Sequence, residues 1–355
     1  MSIPPCIAVV KSGYSVNTRA KTRAKRRNAG AALLAAMLTV ALVATLAAAA
    51  LWQQWRDVEV EAAERARAQA VWLLTRALDL GRLVLAGDLF EDERASRMGQ
   101  PAADHLGEPW AVPLAESRLA TFIGADEEGG NALAHEAFLS GQVLDLQARM
   151  NVMNLLAGNA DARAAAGLRF ARLFELLRLP AGELTHLTQQ LERADEALRA
   201  GMEGDAPVMP TRVGQLTWLG LSEKTVEVLS EHVTLLPLTG GAFTKINLNT
   251  ASAQVLYASL PGLDAAGAQR LISRRATEPF RNVDDATALL QAGSAVDTSW
   301  ATVTTEFFEI RGQLRLGDAA MQEVAAVQRS RSPRRVSTLW RERETLTLEE
   351  TAGQP

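Results

Sequence analysis

The chain has 355 residues, with 37 Lys and Arg against 41 Asp and Glu, a formal net charge of −4. That length allows one large domain or two ordinary ones, and the uneven charge, a basic leader before an acidic remainder, argues against nucleic-acid binding driven by bulk charge. The single cysteine, Cys6, leaves everything after it without a disulfide framework or a Cys-ligated metal.

The first element is a basic leader. Lys11, Arg19, Lys21, Arg23, Lys25, Arg26 and Arg27 stand before Gly30 without an acidic residue. An apolar run from Ala31 to Trp52 follows. It is long enough for a bilayer core, which takes about 20 residues at about 1.5 Å each. The basic side should stay in the cytoplasm, and Trp52 and Trp55 stand where an aromatic belt anchors the outer end. Three readings fit this segment. It is a permanent anchor, or a secretory signal cut after Ala47–Ala50, or a prepilin-type signal cut after Gly30, whose apolar helix survives as the new N-terminus. The run is longer than a secretory h-region of about 7–15 residues. Arg26-Arg27-Asn28-Ala29-Gly30 before AALLAAMLTV suits the third layout.

The helical pattern continues past the apolar run. Val71, Leu74, Leu78 and Val84-Leu85 recur with charges between them, so one helix is expected to run to about Leu85. Gly87-Asp88 and the stretch from Glu91 to Pro113 read as loop. Gly141 to Val152 alternates and reads as a strand, paired with Leu119 to Ile123. Three helical stretches follow: Asp161–Arg178, Leu184–Ala200 and Ser222–Val233. Gly201 to Thr211 is read as a connecting loop. From Trp300 the period returns to two. Three strands are expected, with turns at Gly317-Asp318 and Ser332-Pro333, and a frayed tail from Leu346. The order of long helix, strands, helices, strands implies an α+β fold. Its antiparallel sheet is interrupted by an inserted all-α domain.

The sharpest local motif is INLNTA, Ile246 to Ala251, followed by Leu260-Pro261-Gly262 and Ala268 to Arg275. It outlines a helix-hairpin-helix, with Asn249 or Thr250 capping the first helix. DNA-binding hairpins of this kind carry G-x-G and seat a phosphate on a helix N-terminus. Here Asp264 replaces the second glycine and would repel a phosphate, so the segment reads as structural. His105, His135, His186 and His232 lack metal-ligand spacing, and no nucleophile–base set is present. Asp126 to Asn131 reads as a solvated acidic loop, Trp110 as a core plug, and Asn151 and Asn154 as caps of the next helix.

In chain order, the leader, EPWAVPL, GQVLDLQARMNVMNLL, VGQLTWLGLS and INLNTASAQVLYASLPGL resemble general secretion pathway protein K, the large minor pseudopilin of type II secretion. The resemblance implies a pilin-like domain at residues 53–153 and 299–345, around a helical insertion at 154–298. The leader is then 1–30, the transmembrane helix 31–52 and the tail 346–355. It implies cleavage by prepilin peptidase between Gly30 and Ala31, and no catalytic role. It places the chain in the bacterial inner membrane, N-terminus cytoplasmic and bulk periplasmic, at the tip of a pseudopilus. Minor pseudopilins I and J are the implied partners, H is left open, and the inner-membrane secretion platform is a further contact. Most pseudopilins carry Glu at mature position five; here that position is Ala35. A tip subunit has no preceding amine to pair such a carboxylate, and an unpaired one in the bilayer is costly. Calcium is the one cofactor the resemblance leaves open. Leu191 to Asp195, however, lacks the G-A-E-x-x-Y form that many relatives carry. The alternative is a membrane-anchored, competence-type DNA receptor using the hairpin.

Overall fold

A computed structural model describes residues 21–119, 137–201, 204, 206–290, 296–316 and 319–346. The chain divides into two compact units, residues 1–68 and 69–355. Helix α1 spans Lys21–Arg97, 77 residues. In the first unit it contains the one helical stretch, among the described residues, long and apolar enough to cross a membrane. Every side chain from Gly30 to Arg65 is exposed there. Thr39 and Thr45 return their hydroxyls to the carbonyls of Ala36 and Leu42, so neither adds an unmet donor to the apolar surface.

The second unit contains the rest of α1 and a five-stranded antiparallel sheet. Its strands are β1 (Leu114–Arg118), β2 (Ala137–Asp145), β7 (Phe307–Leu316), β8 (Ala319–Arg331) and β9 (Arg334–Leu346), in that spatial order. Ala70, Leu74, Leu78, Leu85 and Leu89 form the buried stripe of α1 at helical spacing. Ala70 and Leu74 cluster with Leu139 and Leu314 of the sheet, and Leu78 and Leu85 with Phe308, Ile310, Val327 and Val336. Gly81 allows the close approach, since a Cβ there would lie 2.6 Å from Ile310 Cγ2. Gly81→Val should therefore lower stability by about 1–3 kcal/mol through overpacking, although glycine is a poor helix former. A fall in the midpoint of thermal unfolding checks this; an unchanged or higher midpoint would mean that the packing is looser than it looks.

Residues 146–306 lie between the neighbouring strands β2 and β7. They hold the remaining helices: α2 (Ala160–Leu176), α3 (Ala181–Ala200), α4 (Glu223–Leu229), α5 (Ala253–Ser259), α6 (Ala265–Thr277) and α7 (Val283–Thr287). Two-residue parallel bridges tie them together: β3 (Met150–Asn151) with β4 (Val233–Thr234), and β5 (Ile246–Asn247) with β6 (Ala301–Thr302). One apolar core runs through this region, from Phe170, Leu173 and Leu187 to Leu256, Leu271 and Trp300. The fold is thus the expected α+β arrangement of long helix, antiparallel sheet and intervening helices.

Four local expectations need correction. Helix α1 continues to Arg97 rather than breaking at Gly87, because Leu89 is buried and Asp88 and Asp92 find a cationic partner on β8. Strand β2 begins at Ala137 and ends at Asp145, whose carboxylate accepts the Gln147 amide and turns the chain into a 3-10 segment, Leu146–Ala148. Its partners are β1 and β7; of the expected pairing segment, residues 120–123 lie outside the described residues. The third helical stretch ends at Leu229, so that Val233 can pair as strand. Asp126 to Asn131, Gly317-Asp318 and the tail beyond Leu346 also lie outside the described residues.

Candidate functional site on the long helix

The outward face of α1 in the second unit is unusual for a solvated helix. Trp72, Leu83 and Phe90 are all exposed, Leu83 at 68%. At about 100° per residue they fall within about 20° of one another, opposite the buried stripe, with the exposed Arg76 and Asp79 between Trp72 and Leu83 on the same side. Leu80 and Val84 widen the apolar face on one side. Beside it lies a cavity of about 280 Å³ lined by Ala77, Leu80, Val84, Pro109, Trp110 and Val112, among others. Its floor is firm. Trp110 is buried, meets Phe308 edge-on with centroids 5.1 Å apart, and donates from Nε1 to Glu108 at 2.7 Å. Exposed large apolar side chains beside an apolar cavity make this face a candidate surface for another apolar element.

The end of α1 is held by an ionic cluster that the sequence did not disclose. Arg329 of β8 is 1% exposed and bonds Asp88, Asp104 and the Thr305 carbonyl, with Asp92 at 3.9 Å. Its guanidinium also lies over the Phe308 ring. Three carboxylates stand close enough together to hold a metal ion. The positive charge at their centre is the guanidinium itself, so this donor set fits an arginine and not calcium. Burial raises the Asp88 carboxyl to about 6, outweighing the attraction of Arg329, and raises Asp92 as well. Nearby Glu108 is pushed up to about 7 by burial.

The INLNTA motif is an internal clamp. Asn249 donates to the Phe280 carbonyl at 2.9 Å and accepts the Phe280 amide at 2.8 Å. Thr250 donates to Asp145 at 2.6 Å. Neither caps α5, whose N-cap is Ser252 accepting from Val255. Asp145 is a fully buried hub: it accepts from Gln147, Asn247, Thr250 and Thr305, and thereby ties the end of β2 to the helical region and to the entry of β7. Burial raises its carboxyl to about 6, against those hydrogen bonds. At the hairpin, Asp264 Oδ1 takes the Gly267 amide at 2.6 Å. The N-terminus of α6, where a phosphate would sit, is thus already met by a carboxylate. Asn151 caps only a 3-10 turn, and with Asn154 it clamps Leu236 and Thr244; α2 is capped by Asn159. His105 is half-buried, His186 exposed and His232 buried. They do not converge on a site, and His135 lies outside the described residues.

A family model described as type II secretion system protein K matches residues 246–304, the clamp and hairpin region. Type II secretion system protein K of Pseudomonas aeruginosa is 27% identical over 324 residues, covering 86% of this chain and 90% of the relative. The chain resembles protein K of the type II secretion system. A crystal structure of the GspK–GspI–GspJ complex from the enterotoxigenic Escherichia coli type 2 secretion system contains the same fold, with a TM-score of 0.58 at 19% identity, covering 79% of this chain and 98% of that one. The family match spans Asn247, Asn249 and Thr250, whose hydrogen bonds all stay within the chain. It does not by itself assign a role to Gly30, Ala31 or Ala35, which lie on the exposed first part of α1.

Proposed function

We propose that this chain is a minor pseudopilin that sits at the tip of a type II secretion pseudopilus and primes its assembly for protein export. The observation that carries the reading is the double character of α1. Its first part is apolar all round, and its second part has one stripe on the sheet and a second, Trp72–Leu83–Phe90, facing outward. A fibre subunit needs both, one to wait in the membrane and one to pack against its neighbours. The solved relative named above is a complex with I and J, and partners of that kind are assigned to the outward stripe. Residues 154–298 act as an inserted helical domain on this reading, and the chain is a structural subunit and not an enzyme.

The membrane helix is then an inner-membrane span with its N-terminus cytoplasmic and the bulk of the chain periplasmic. Prepilin peptidase removes the leader after Gly30 and leaves Ala31 as the new N-terminus, with the apolar Ala35 at position five. Gly30→Val should block this cut, because a β-branched side chain would occupy the peptidase site in place of a hydrogen atom. Mass spectrometry of the mature N-terminus tests the reading directly. An N-terminus at Ala31 supports it; one beyond Ala50 would make the segment an ordinary secretory signal and remove the chain from pseudopilins altogether.

A further inference from the structure

We propose that the Arg329 cluster is a proton-controlled latch that fastens the last turns of α1 to β8 and to the 101–112 segment, tightening as the surrounding pH falls. The geometry sets one buried cation against an excess of acid. Asp88 and Asp92 come from α1, Asp104 and Glu108 from the 101–112 segment, and Arg329 from β8. Arg331 at 3.2 Å compensates only the outer side of Asp92, and the nearby Glu93 has its own partner in Arg334. His105 is kept from taking a proton by burial and adds no balancing charge near neutrality. Behind Asp104, Asn247 bridges its carbonyl to Asp145, another buried acid.

The acids differ in how they are met. Asp104 receives the Thr305 amide at 2.7 Å as well as Arg329. Glu108 receives only neutral donors, the His105 amide and the Trp110 indole. With all four ionised, the cluster carries more negative charge than Arg329 and Arg331 neutralise. One added proton relieves that repulsion without removing a hydrogen-bond acceptor. Solvent reaches the group through an open cavity of about 580 Å³ lined by Asp88, Glu91, Asp92, His105 and Glu108. Protons therefore exchange without unfolding. Burial raises the carboxyls of Asp88 and Glu108 above their ordinary values, to about 6 and about 7. The sign follows: protonation stabilises the closed latch fully below about pH 4, and that contribution is lost as pH rises through about 6 to 7. Phe90 lies between Asp88 and Asp92, so the outer end of the apolar stripe moves with the latch. That consequence rests on the docking reading above; the latch itself does not.

Amide hydrogen exchange of the full chain in detergent micelles, corrected for intrinsic rates, tests it over residues 85–97 and 101–112. Local opening at pH 7.5 should exceed that at pH 5.0 by about tenfold or more, since each pH unit between the open-state and closed-state values changes the ratio about tenfold per group. Asp88→Asn with Glu108→Gln should flatten that dependence, while peptides in α3 stay unchanged in both proteins. Opening that is independent of pH in the wild-type chain would overturn the latch. So would a pH dependence of undiminished size after the double substitution, since Asp92 alone supplies only the remainder. Failure of the wild-type chain to bind I- and J-type partners, with an intact pH response, would count against the docking reading alone.

Discussion

Arg329→Met is expected to be the most damaging single substitution in the sheet domain. The methionine fills much of the volume, but it leaves Asp88 and Asp104 without a cation and Asp92 with only the peripheral Arg331. Removing one partner of a buried ion pair costs about 3–5 kcal/mol, a large part of a typical stability of about 5–15 kcal/mol. The loss should depend on pH. Without the guanidinium the carboxyls hold protons still more readily, so the variant should regain stability as pH falls from 7.5 towards 5. Asp88→Asn added to Arg329→Met should restore part of the loss, because one repelling charge is gone. Thermal unfolding followed by near-ultraviolet circular dichroism measures all three. A variant as stable as the wild type would show that the cluster is solvated and carries little of the fold.

That cluster marks where reading the sequence stopped short. Asp88 and Asp92 are one helical turn apart and point the same way, but their partner is some 240 positions later, on β8. No periodicity links the two, and Gly87-Asp88 carries the local signature of a loop. Tertiary pairing overrode that signature and kept α1 helical to Arg97. INLNTA failed in a different way. Asn249 and Thr250 have capping chemistry, but their bonds go to Phe280 and Asp145. The same side chain satisfies a helix end or a distant backbone group equally well, and only the fold decides which. Periodicity, by contrast, was reliable where one face is buried over many residues. The α1 stripe from Leu74 to Leu85 and the C-terminal meander repeat their signal often enough to outweigh local noise. Trp110 was legible for a simpler reason: a large aromatic between two prolines has few places to go except into a core.

The outward stripe leads to the second large effect. Leu83→Asp should leave the isolated chain folded, because Leu83 is 68% exposed and its replacement meets water. In an assembly the same aspartate would be enclosed by the apolar face of a neighbour with no cation in reach. Burying an uncompensated charge costs several kcal/mol, so the affinity for I- and J-type partners should fall by about a hundredfold or more. Trp72→Asp should act in the same direction, since Trp72 and Leu83 share one line of the helix. Leu168→Asp supplies the control: Leu168 is as exposed as Leu83 but lies on α2, away from the stripe, and should leave co-purification intact. Comparing the three variants separates a docking face from a general intolerance of surface charge. If Leu168→Asp abolished assembly while Leu83→Asp and Trp72→Asp co-purified normally, the neighbours would be reading the helical region, and the outward stripe of α1 would need another occupant.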